Sequence, residues 1–101
     1  HLQQIKLPQK ASWTQQVYHL FVIQAQKRDL LQRFLNKNQI ETGVHYPRAL
    51  PNTPAYKQFK SQCQDFFACK VDKKLLSLPM GEHLTNSQVN YVVEKIKKFY
   101  E

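Results

Sequence analysis

Apolar positions along this chain change their spacing several times, and each change predicts an element. Val17-Tyr-His-Leu-Phe-Val-Ile23 is β-branched and aromatic on both faces except at His19, the pattern of a central strand buried on both sides. His19 is expected as a core histidine donating one ring N–H to a nearby carbonyl. From Lys27 to Asn38 the period becomes helical, with Leu30, Leu31, Phe34 and Leu35 on one stripe. Asp29 suits the first turn of that helix, and Asn38 suits a left-handed exit. Alternation returns in Ile40-Glu-Thr-Gly-Val-His-Tyr-Pro47, predicting a second strand and a β-α-β unit.

Further along, Ala55 to Lys60 predicts a short helix with Tyr56 and Phe59 inward. Phe66 to Lys74 predicts another, with Phe66, Phe67, Cys69 and Val71 apolar. Leu75 to Pro79 reads as a third strand closed by its own proline. Thr85 and Gln88 form a capping box, and Val89, Val92, Val93, Ile96 and Phe99 make a 3.6-period stripe behind it. Residues His1 to Ser12 form a lead-in in which Ile5 and Leu7 flank Lys6 before Pro8 stops any regular element. The sum is an α+β fold: a small three-stranded sheet with two main helices packed on it, expected as a single domain over residues 1–101.

Within this pattern the Ile40–Pro47 strand is unusual. Pro47 has no N–H for a ladder and holds Tyr46 extended. Gly43 inside a strand is costly unless another group must come close. Two readings stand on these residues alone. One is a strand ending in a binding cleft with His45 and Tyr46 at its rim. The other is a small buried strand whose two rings bond their neighbours. The following loop carries Pro47, Pro51 and Pro54 and is stiffened by them.

Composition narrows the function classes. The 101 residues are 42% hydrophobic and 12% aromatic, a folded composition. No apolar run reaches the ~18 residues of a membrane span, and no leader pattern marks the chain for export. The chain opens on His1 rather than Met, so a processed or excised piece of something longer is expected. Cys63 and Cys69 match no zinc or redox spacing and are expected as free thiols in a reducing cytoplasm. With Gly43 and Gly81 the only glycines, there is no phosphate cradle. The histidines at 1, 19, 45 and 83 never fall at paired ligand spacing, which argues against a metal site. The net charge of +8 leaves open a second class, a stand-alone basic module binding nucleic acid or an acidic partner. Its lysines and arginines are scattered, however, as on solvated faces.

Several motifs in order carry a family resemblance: Val17 to Ile23, Ile40 to Pro47, Pro54-Ala-Tyr56, Leu76-Ser-Leu-Pro-Met80 and His83-Leu-Thr85. Together they resemble the C-terminal domain of the DegT/DnrJ/EryC1/StrS sugar aminotransferases, pyridoxal-phosphate enzymes with the aspartate-aminotransferase fold. The resemblance runs from about Leu7 to Phe99. It implies the smaller lobe of such an enzyme. A larger lobe, absent here, would carry the Schiff-base lysine, the acidic partner of the pyridine nitrogen and most phosphate contacts. It implies transfer of an amino group to a nucleotide-linked keto sugar for cell-surface polysaccharide or amino-sugar biosynthesis, by a cytoplasmic homodimer. Some relatives are dehydratases lacking the lysine. By position Gly43, His45 and Tyr46 would meet the substrate sugar, no catalytic residue would lie in this chain, and the chain alone would bind no cofactor and be inactive. The chain departs from the family at Pro51, where a histidine is common, at Phe66-Phe-Ala-Cys69, and at Gln39, where a glycine often ends the first helix.

Overall fold

A computed structural model describes residues 2–63 and 65–101, without the side chain of Cys63. His1 and the Cys63 thiol therefore lie outside the described residues. The thiol of Cys69 is free and half-buried.

The elements are β1 (Ile5–Lys6), β2 (Phe21–Ala25), α1 (Arg28–Lys37), α2 (Lys60–Cys63), α3 (Phe67–Val71), β3 (Leu75–Leu78) and α4 (Asn86–Tyr100), with single 3-10 turns at Leu50–Asn52 and Asp72–Lys74 and a longer one at Pro54–Phe59. The strands form an antiparallel sheet in the order β1-β2-β3. The α+β class holds, but the sheet recruits different residues from those the pattern predicts. Ile5–Lys6, placed in the lead-in, is an edge strand. The second strand starts at Phe21, not Val17. The shift follows the length of its partner: Phe21 pairs with Leu78, the last residue of β3, so β2 begins where β3 ends. The chain before Phe21 leaves the sheet through a left-handed Tyr18 (φ 48°), and Val17 is 91% exposed. His19 is accordingly exposed, not a core histidine.

Alternation divides the sheet into two faces. Phe21, Ile23, Ala25, Leu76 and Leu78 face the helices. Ile23, Ala25 and Leu76 form the buried core with Leu31 and Leu35 of α1, Ile40, and Ile96 of α4. Val22 and Ser77 face the other way.

Both main helices follow their expected bounds. α4 opens on the capping box: Gln88 N–H donates to Thr85 Oγ1 at 3.3 Å, and Thr85 N–H donates to Gln88 Oε1 at 2.9 Å. Its stripe is only partly covered. Ile96 is buried, whereas Val89 and Val93 are exposed. α1 ends in a Schellman turn, with Gln39 N–H to Asn36 O and Ile40 N–H to Leu35 O, both at 3.0 Å. The left-handed residue is Gln39 (φ 61°), one place later than expected, while Asn38 has φ −96°. The turn delivers Ile40 into the core against Leu35.

The middle of the chain corrects two further expectations. Pro54–Phe59 is a 3-10 turn leading into α2, and Tyr56 and Phe59 are exposed rather than inward. In the next helix Val71 is buried, but Phe66 and Phe67 are exposed.

Candidate functional site

The site is built on the free edge of β3. The segment after Ile40 runs antiparallel to β3 and therefore parallel to β2, with β3 between them, so the expected β-α-β unit exists with a strand inserted. It is not a strand of the sheet, because one pair is all it makes. Gly43 N–H donates to Ser77 O at 3.0 Å and Ser77 N–H donates to Gly43 O at 2.8 Å. Extending this ladder would next pair Glu41 with Pro79, which cannot donate. At the other end Leu75 O is taken by Arg28 Nη1 at 3.1 Å. Arg28 is buried, and its Nε lies 2.6 Å from Asp29 Oδ1, an ion pair too poorly aligned to count as a hydrogen bond.

Two residues past Gly43, alternation returns His45 to the same face as Ser77, away from the helices. His45 Nδ1 lies 2.9 Å from Ser77 Oγ. The ring folds back over the α-carbon of Gly43. A Cβ at Gly43 would overlap ring Cε1 and stand 3.0 Å from Nδ1. Gly43 is thus needed for space; no described glycine has a positive φ. Tyr46 stands beside His45, ring centroids 6.4 Å apart at 83°. Both rings are at the surface, Tyr46 being 79% exposed. The structure therefore brings Gly43, His45 and Tyr46 together at one rim.

The loop behind them is held by a residue the sequence did not single out. Asp72 Oδ2, in a buried side chain, accepts from Ala49 N–H at 3.1 Å and Asn52 Nδ2 at 2.9 Å. Burial alone would raise the Asp72 carboxyl. The hydrogen bonds of Asn52, Ala49 and the Lys73 backbone, with the Lys73 charge, outweigh it and hold it below its ordinary value. Ser77 was likewise missed as a site residue. Its signal was a lone hydroxyl inside Leu75-Leu-Ser-Leu78. Asp72 and Asn52 left no local signal.

A large concavity lies elsewhere. An open groove of about 1610 Å³ lies on the helix side, lined by Ile23, Leu78, Val89, Val93, Phe67 and Leu7 among others, and neither His45 nor Tyr46 lines it. The chain's own donors do not fit pyridoxal phosphate. Every described lysine is exposed except Lys95, whose Nζ lies over the Tyr91 ring. The buried carboxylate of Asp72 is spent on the loop. No group of three or more potential metal ligands occurs among the described residues.

The class of fold is found within sugar aminotransferases. CalS13 of Micromonospora echinospora superposes with a TM-score of 0.77 at 17% identity, over 96% of this chain and 26% of its own. DesV of Streptomyces venezuelae superposes at 0.84 with 31% identity, over 97% of this chain and 27% of its own. The chain belongs to the DegT/DnrJ/EryC1/StrS aminotransferase family, whose profile matches residues 1–97. Among similar sequences, the pleiotropic regulatory protein of Geobacillus stearothermophilus is 40% identical, over 92% of this chain and 25% of its own length. The dTDP-3-amino-3,4,6-trideoxy-alpha-D-glucose transaminase of Streptomyces venezuelae is 33% identical, over 96% and 26%. The chain thus spans about a quarter of the length of these relatives.

Proposed function

We propose that this chain is the small C-terminal lobe of a pyridoxal-phosphate-dependent sugar aminotransferase, and that Gly43, His45 and Tyr46 cap the sugar of a nucleotide-linked keto substrate. The observation that carries the reading is the exposed His45–Tyr46 pair, fixed by Gly43 and Ser77 on the free edge of the sheet. An imidazole and a phenol bond sugar oxygens well, and the bare α-carbon of Gly43 leaves the imidazole room to lie flat. Two relatives named as transaminases of dTDP-amino sugars support the substrate class.

The cofactor and its anchoring lysine belong to the larger lobe in this reading, since the residues here make no cradle for them. The apolar groove between α4 and the sheet would receive the rest of the parent chain. Alone, the lobe holds no reaction centre. Its work is to position the sugar and keep water from the reacting carbon when the cleft closes. The test is kinetic. In the full-length enzyme, His45→Ala and Tyr46→Phe raise KM for the sugar nucleotide about tenfold each, the scale of one lost hydrogen bond, and leave cofactor absorbance unchanged. Unchanged KM in both variants would reject the capping role.

A further inference from the structure

We propose that Ser77 is a positioning residue that fixes the ring proton of His45 on Nε2, so that the imidazole offers its ligand an N–H and not a lone pair. The inference rests on the reading of His45 as a sugar contact and adds the polarity of that contact. Ser77 Oγ lies 2.9 Å from His45 Nδ1. A serine hydroxyl brings one donor and two lone pairs. Ser77 is 4% exposed, and among the described residues His45 Nδ1 is the one partner of its hydroxyl. Were Nδ1 protonated, Ser77 Oγ could only accept from it. Its own O–H would then be buried with no acceptor, the costly case for a polar group. With the serine donating, Nδ1 accepts, both groups are satisfied, and the proton of the neutral ring sits on Nε2.

Two restraints therefore act on one ring. Gly43 fixes where it lies, because the ring occupies the space a Cβ would fill. Ser77 fixes which nitrogen is the donor. The ligand atom opposite Nε2 is then an acceptor: a keto or hydroxyl oxygen of the sugar, or a phosphate oxygen. A protonated amino group is excluded as the partner, since it has no lone pair and two donors would face each other.

The experiment reads the ring nitrogens of His45 by 15N NMR in the full-length protein, above the histidine titration range. The expected result is an unprotonated, hydrogen-bonded Nδ1 and a protonated Nε2. Ser77→Ala shifts the Nδ1 resonance towards that of a free imidazole and raises KM for the sugar nucleotide about tenfold, with cofactor absorbance unchanged. A protonated Nδ1 in the wild-type protein overturns the proposal whether or not the variant folds. His45→Ala separates the two readings. If it leaves the sugar KM unchanged, the capping role fails while the tautomer assignment stands. If it raises KM and Nδ1 carries the proton, the tautomer assignment alone fails.

Discussion

Glycine and its absence decide local geometry at two positions. At Gly43 the requirement is space. Gly43→Ala inserts a methyl group where the His45 ring lies, and the ring, being a side chain at the surface, swings away. The expected outcome is a small change in melting temperature with loss of the His45–Ser77 bond, read as a displaced His45 ring in a crystal structure of the variant. A ring still on Ser77 would show that Gly43 has another purpose. At Gln39 the requirement is a left-handed backbone, which glycine adopts without penalty and glutamine does not. Gln39→Gly is expected to stabilise the fold by about 0.5–1 kcal/mol in denaturant titration. A loss of stability would mean that the glutamine side chain contributes more than the strain costs.

Among elements, the Pro47–Pro54 loop depends on one carboxylate. Its folded value lies below the ordinary 3.8. A depressed carboxylate contributes stability that is present above the unfolded value and is lost as pH falls through the lower folded value. Asp72→Asn is therefore expected to cost about 1–3 kcal/mol at neutral pH, with the gap to wild type closing in acid below about pH 4. Thermal melts at a series of pH values check this, and a gap independent of pH would assign the loss to packing. The elements also show what was legible. α4 could be read because its capping box and its stripe are local. The starts of β2 and of the Gly43 segment could not be placed, because both depend on β3, distant in sequence: β2 begins opposite its last residue, Leu78, and Pro79 has no N–H for the Gly43 ladder. The alternation in Ile40–Pro47 was real and put His45 on the face of Ser77, although only one rung formed. The tie from Asp72 to Asn52 has no local pattern at all.

Across the whole molecule, two surfaces face in different directions. The polar rim carries His45 and Tyr46. The apolar groove leaves Val89, Val93, Leu7 and Phe67 exposed, more than a small self-contained surface needs. The 101-residue chain by itself is expected to self-associate through that groove, with Val93→Glu shifting sedimentation towards monomer. A wild-type chain that stays monomeric at high concentration would argue that the groove is not an interface. No described helix is long and apolar enough to cross a membrane.

The most direct test of the capping role is a crystal structure of the full-length protein with a nucleotide-linked sugar bound. The account predicts His45 Nε2 and Tyr46 Oη each at about 2.7–3.2 Å from a sugar oxygen, across a cleft closed by this lobe. A sugar held wholly by the other lobe, with both rings turned to solvent, would contradict it.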